Sequence, residues 1–260
     1  MPVTQTWIDQ LDVRVYPDRD EMGRSAAQEA AQAIRGLLAE REEVNLIFAA
    51  APSQSEFLRA LCAEGDIDWG RVNAFHMDEY VGLAVGQEGS FTNFLNKRVF
   101  ERLPFKAVFR LNGAAEDADR ECGRYAQLLR DHPVDLIFMG VGENGHIAFN
   151  DPSVADFNDS AAVKVVELER ACRMQQVHDK CFPTLEDVPE RAYTLTIPAL
   201  LSANQIFCMV PGRTKTAAVG RMLSGQIGED CPASILRRHA SAILYLDLDS
   251  ARDFLPRGRP

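Results

Sequence analysis

Residues 140–152, Gly-Val-Gly-Glu-Asn-Gly-His-Ile-Ala-Phe-Asn-Asp-Pro, crowd an imidazole, two side-chain amides and two carboxylates into one short run. His146 is the natural proton carrier there, because an imidazole titrates near neutrality and a nearby carboxylate can orient it and raise its pKa. Asn144, Asn150 and Asp151 are its polar neighbours in the run. Isolated histidines are more often structural. Glycines before this one and Asp-Pro after it, at the end of an apolar run, reverse that expectation. Gly142 and Gly145 also let a ligand approach the backbone, which makes them candidate binding positions.

A second pair of acids, Asp78 and Glu79, follows the apolar run 72–77. Asp78 is the better general-base candidate and Glu79 a candidate binding residue. The competing reading is that one acid caps a following turn or helix while the other is solvated. Lys215 stands in Pro-Gly-Arg-Thr-Lys (211–215), where a helix begins after another apolar run. Backbone amides at a helix start, together with a lysine, suit a phosphate; on spacing alone an exposed lysine on a helix face is an equal alternative. Ser53, after Ala-Ala-Ala-Pro (49–52), opens a further helix and can serve the same phosphate. His178 and Cys181 have metal-ligand spacing, but nothing nearby completes a tetrahedral set. His239 reads as a surface or capping group. Neither a Walker loop nor a Gly-x-Ser-x-Gly elbow occurs.

The elements that must position these groups are visible as apolar runs at 13–16, 44–50, 72–77, 134–140, 163–168, 193–197, 205–210 and 242–246. Between them, 21–40, 53–61, 90–102, 116–130 and 214–223 carry helix formers at helical spacing. Ser53 and Ser90 are plausible N-caps. Strands apolar throughout and separated by helices predict a doubly wound, Rossmann-like α/β fold with a mostly parallel sheet covered on both faces. Ligands of such sheets bind beyond the carboxyl ends of the strands. The segments after Ala50, Met77, Gly140, Ile197 and Val210 are therefore where a site is expected. No linker divides the chain, so residues 1–255 read as one domain and 256–260 as a disordered tail.

With 260 residues, 46% of them apolar, and a net charge of −10, the chain reads as a globular protein with no general attraction for nucleic acid or an anionic membrane. A phosphorylated ligand then needs a local site. No apolar run approaches membrane-spanning length, and the N-terminus lacks a secretory pattern, which implies a cytoplasmic location. Six cysteines without Cys-x-x-Cys spacing read as reduced thiols.

Taken together, Phe-His-Met-Asp-Glu-Tyr-Val-Gly-Leu (75–83), Gly-Glu-Asn-Gly-His-Ile-Ala-Phe-Asn-Asp-Pro (142–152) and the Lys215 segment resemble the glucosamine-6-phosphate deaminase family. The wider superfamily contains 6-phosphogluconolactonases, which typically carry Asp-Glu-Arg and Gly-His-Thr-Ala-Ser where this chain has Asp-Glu-Tyr and Gly-His-Ile-Ala-Phe. The resemblance implies a small-molecule amino-sugar phosphate as substrate and a reaction without metal or cofactor. Aldose–ketose isomerisation would be joined to deamination, giving fructose 6-phosphate and ammonia from glucosamine 6-phosphate and water. Asp78 would move a proton between C2 and C1, and His146, oriented by Asp151 and Asn144, would open the sugar ring. Lys215 would bind the phosphate, with Ser53 in the loop that cradles it.

This chain departs from that family pattern in three ways. Ala-Ala-Pro-Ser (50–53) replaces a Thr-Gly-Gly-Thr type of loop. Asn144 and Asp151 stand where an acid and a glutamate are found in some members. A family arginine has no counterpart in Gln-Gln-Val-His-Asp-Lys (175–180), leaving Arg173 and Lys180 as alternatives. A lactonase-type hydrolase and a non-catalytic sugar-phosphate sensor are the rival readings, and self-association and the C4 epimer of the sugar stay open. The polar segment 151–163 has the position and composition of a lid.

Overall fold

The computed structural model describes residues 1–255, so the tail expected to be disordered lies outside the described residues. In chain order the strands are β1 (Thr4–Ile8), β2 (Leu11–Tyr16), β3 (Val44–Phe48), β4 (Val72–His76), β5 (Asp78–Tyr80), β6 (Ala107–Phe109), β7 (Leu136–Met139), β8 (Val163–Glu167), β9 (Arg191–Leu195), β10 (Gln205–Val210) and β11 (Ala242–Asp247). The α-helices are α1 (Arg19–Glu40), α2 (Ser55–Leu61), α3 (Phe91–Leu95), α4 (Ala118–Asp131), α5 (Arg170–His178), α6 (Ile197–Leu201) and α7 (Thr216–Ser224).

Eight strands form one sheet in the order β1-β2-β11-β10-β7-β3-β4-β6, and every pairing except β1 with β2 is parallel. Residues of β3 alternate between two apolar layers: Ile47 packs on one face with Phe75 and Ile137, while Leu46 and Phe48 pack on the other with α1 and α2. This is why the run reads as apolar throughout. Helix α1 forms because Asp18 caps it, accepting from Glu21 N at 2.8 Å, and because Ala26, Ala27, Ala30, Ala31, Ile34 and Leu38 give it one buried face.

Three corrections follow. The runs at 163–168 and 193–197 do not join the parallel sheet; β8 and β9 pair antiparallel with each other and with β5 in a second, three-stranded sheet. The segment after Ile197 is therefore not at a carboxyl end of the main sheet. Ser53 is not an N-cap, since Pro52–Gln54 form a 3₁₀ turn that leads into α2 without a side-chain cap. Residues 90–102 are not one regular helix. Ser90 does cap α3, accepting from Asn93 N, but Asn96–Phe100 continue as a wider π-helical turn. Among the described residues, no helix is long and apolar enough to cross a membrane.

Candidate active site

The carboxyl ends of β10, β7, β3 and β4, adjacent in the sheet, deliver four short segments to one cleft of about 490 Å³. Ala49–Ala51 and Ser53 follow β3, Met77 follows β4 and leads into Asp78 at the start of β5, Gly140–Gly142 follow β7, and Lys215 stands in the turn after β10. Phe91, His146, Ala148, Phe149, Gln175 and Gln176 complete the lining.

The turn after β7 is built around His146. Its Nδ1 lies 2.9 Å from Asp151 Oδ1, although no partner meets Nδ1 at a good hydrogen-bond angle. We read the contact as a close electrostatic one. Asn144 braces both ends, donating from Nδ2 to Asp151 at 2.8 Å and accepting the His146 backbone N–H at 3.1 Å. Burial alone would raise the Asp151 pKa, but the His146 and Asn144 contacts and the Glu169 amide outweigh it and hold the carboxylate below its ordinary value. Asp151 therefore stays ionised beside Nδ1 of the ring. Gly142 is required sterically, because a Cβ there would fall 2.2–2.4 Å from atoms of the imidazole. Gly145 has φ +88° with Cys231 Sγ packed where its Cβ would be, so it shapes the turn.

Asp78 enters the cleft from β5. Its carboxyl is nearly buried and Oδ1 has no hydrogen-bond partner. Burial, and secondarily the neighbouring Glu79, push its pKa well above the ordinary carboxylate value. Its backbone is fixed from two sides. Thr194 in β9 pairs with it, and the His76 ring bridges it to the next loop. Leu111 N donates to His76 Nε2 at 2.9 Å, so Nδ1 must carry the proton and donate to the Asp78 carbonyl, also at 2.9 Å. Full burial drops the His76 pKa to about 4. We expect its ring NMR signals to show the Nδ1–H tautomer without titration between pH 8 and about pH 5; a protonation midpoint near 6.5 would contradict this placement.

Glu79 does not reach the cleft, which corrects its assignment as a binding residue. Its Oε1 accepts from the backbone N–H groups of Tyr80 and Phe91 and its Oε2 from Thr92, at 2.8–3.0 Å. The side chain thus holds β5 to the start of α3 and so fixes Phe91 against the cleft. Burial raises its pKa and these amide contacts oppose the rise. Glu79→Ala strands buried donors and should cost about 2–3 kcal/mol of stability in urea unfolding. A loss under about 0.5 kcal/mol would show the contacts to be dispensable.

Lys215 is buried where it lines the cleft and, among the described residues, forms no ion pair. Burial lowers its pKa, and Asp179 and Glu143 offset part of that from a distance. Ser53 lines the same cleft, and Gln54 Nε2 donates to its hydroxyl and to the Met209 carbonyl, both at 3.2 Å. The cleft thus gathers a buried ammonium, a hydroxyl and the turns that lead into α2 and α7.

The family model described as glucosamine-6-phosphate isomerases/6-phosphogluconolactonase matches residues 17–245. The chain belongs to that family. Relatives within the glucosamine-6-phosphate isomerase/6-phosphogluconolactonase family include the glucosamine-6-phosphate deaminase of Listeria monocytogenes serotype 4a, 35% identical over 209 residues, or 80% of this chain and 87% of the relative. The glucosamine-6-phosphate deaminase of Bacillus cereus is 38% identical over 184 residues, 71% of this chain and 68% of that one. Among solved structures, a monomeric glucosamine-6-phosphate deaminase superposes with a TM-score of 0.84 at 29% identity, covering 92% of this chain and 98% of its own. A 6-phosphogluconolactonase from Shewanella baltica shares the fold, with a TM-score of 0.76 at 15% identity over 93% of this chain and all of its own.

Of the family positions singled out in the sequence, Ser53, Asp78, Gly142, His146 and Lys215 line the cleft. Asn144 and Asp151 stand behind His146. Gly145 lies outside the lining, its place fixed by the turn. Arg173 is spent on the carbonyls of Leu185 and Val188, and Lys180 lines a neighbouring cavity with Lys97 and Arg98. The segment 151–163 does not cover the cleft; it is tied down by the Phe157 amide to Glu229 and by Lys164 to Asp159 and the Val154 carbonyl. Gln175 and Gln176 on α5 occupy the wall instead, the former accepting from Glu143 N at 2.9 Å. Sequence reading missed them as site residues, although Cys172, Gln175 and Gln176 recur at the i, i+3, i+4 spacing of one helix face.

Proposed function

We propose that this protein is a deaminating aldose–ketose isomerase that converts glucosamine 6-phosphate and water to fructose 6-phosphate and ammonia. The observation that carries the reading is one cleft holding a buried carboxyl with an unpartnered oxygen, an imidazole–carboxylate pair and a buried lysine.

Each group has a step. Lys215 and Ser53 hold the phosphate, and that remote binding energy fixes the carbon chain against Asp78. His146 Nε2 gives a proton to the ring oxygen and takes up the one that the anomeric hydroxyl loses, opening the pyranose to the aldehyde. Ionised Asp78 removes the proton from C2 while the 2-ammonium passes one of its protons to the C1 oxygen, giving the neutral enolamine, and Asp78 then returns its proton to C1. The C2 iminium so formed adds water and expels ammonia, leaving the ketone. A carboxyl kept neutral in the empty cleft is a poor base. The substrate's own 2-ammonium, placed beside it, supplies the positive charge that restores the carboxylate.

A lactonase would need only activation of water and no base aimed at a carbon-bound proton. Position 80 favours the deaminase reading as well. The Tyr80 ring is fully buried against Phe91, Phe149 and Phe182, at centroid distances of 4.9–5.4 Å, an environment hostile to the arginine typical of the lactonases.

The test is the fate of the C2 hydrogen. With C2-deuterated glucosamine 6-phosphate, the label should appear at C1 of the ketose or in solvent, and this should depend on Asp78. Ammonia release with deuterium retained at C2 would overturn the mechanism.

A further inference from the structure

Behind the imidazole is a second cluster of donors that the proposed reaction does not use as such. One ring nitrogen of His146, a carboxylate oxygen of Asp151 and Cys172 Sγ all lie within 4.8 Å of one another, and all three residues are buried. Donors bound to one tetrahedral zinc at about 2.0–2.3 Å stand roughly 3–4 Å apart, so the spacing needs only a small contraction. Asp151 is held ionised, and His146 Nδ1 has no well-aligned hydrogen-bond partner to surrender. Cys172 is one turn before Gln175 and Gln176 on the same face of α5, and both glutamines and His146 line the open cleft, so the cluster lies directly behind the cleft wall.

We propose that His146, Asp151 and Cys172 form an inhibitory binding site for a thiophilic divalent cation, Zn²⁺ or Cd²⁺, with the fourth position open to water from the cleft. The cation binds His146 Nδ1 and an Asp151 oxygen, any proton on Nδ1 leaving to solvent, while the imidazole keeps one proton on Nε2. Cys172 gives its thiol proton to solvent as the metal–sulfur bond forms. Burial holds that thiol well above its ordinary pKa, so the metal must supply the drive for its ionisation, as coordination to zinc does. A metal-bound His146 cannot shuttle protons, so the inhibition rests on the ring-opening role proposed above; the site itself does not.

The experiment titrates the wild-type protein with Cd²⁺ alone and follows thiolate-to-cadmium charge-transfer absorption. One equivalent should produce a band that disappears in both Cys172→Ser and Cys172→Ala, the remaining cysteines setting the background. In parallel, Zn²⁺ should block ammonia release reversibly to EDTA. Because loss of an outer-shell partner alone costs about 10–100-fold in affinity, either variant should need at least roughly 100-fold more Zn²⁺. An unchanged charge-transfer band in both variants would overturn the site. Equal Zn²⁺ inhibition of wild type and variants would overturn its inhibitory role. Should the wild type release no ammonia at all, the absorption still decides the site, and the failure belongs to the proposed reaction.

Discussion

Asp78→Asn should lower ammonia release by about 10²–10⁴-fold while making the protein more stable at pH 7. The first effect follows from removing the only carboxyl that faces the cleft with a free oxygen among the described residues. The second follows from linkage. Burial raises the Asp78 pKa in the folded state above its unfolded value, so its contribution to stability is full below the unfolded pKa near 4 and is lost as pH rises through the folded one. At neutrality the wild type bears the penalty of a desolvated acid, and asparagine does not. The difference in melting temperature should widen from pH 4 towards pH 7, by about 2–4 °C for each kcal/mol recovered. A variant that is inactive but no more stable would place the carboxyl in water, and one that is stable and active would remove it from the mechanism.

Lys215→Ala should cost roughly 10–100-fold in kcat/KM, the range expected for one charge-assisted hydrogen bond to a phosphate. The loss should appear chiefly in KM, because the phosphate is held in ground and transition states alike, with a smaller fall in kcat where its binding energy orients the carbons. Inhibition by inorganic phosphate should weaken by a similar factor. Turnover of unphosphorylated glucosamine, however slow, should not change. Arginine at this position should rescue poorly, since a planar guanidinium is larger than the buried ammonium that the wall encloses. Unaltered phosphate inhibition in Lys215→Ala would move the phosphate elsewhere, with the Lys97, Arg98 and Lys180 cavity the next place to look.

How much of this was legible in the sequence depended on what each residue had to encode. Strands β3, β4, β7 and β10 are buried on both faces, so their sequences are apolar throughout, and the chemistry begins where the apolar run stops. Strand β1 was missed although Thr-Gln-Thr-Trp-Ile alternates, because an edge strand with half its side chains exposed carries no apolar run. Strands β8 and β9 were visible as strands but not as a separate sheet, since an apolar run does not name its partner.

The paired acids show the same limit within the site. Asp78 and Glu79 are chemically alike and adjacent, and β5 turns successive side chains to opposite faces, one to the cleft and one to the amides of α3. Only the strand assignment separates their roles, and three residues are too few to announce a strand. His146 was readable because glycines surround it. Its steric reason, an imidazole laid across Gly142, becomes apparent only in three dimensions. Gln175 and Gln176 gave no signal beyond their helical spacing, because a polar wall of a cleft resembles a solvated helix face.

The most direct measurement is the product balance from glucosamine 6-phosphate, set beside hydrolysis of 6-phosphogluconolactone by the same preparation. Ammonia and fructose 6-phosphate should form in equal amounts, with both lost in Asp78→Asn and His146→Gln, and the lactone should be turned over no faster than in buffer. Hydrolysis of the lactone without ammonia release, or saturable binding of the amino sugar with no product, would contradict the deaminase reading.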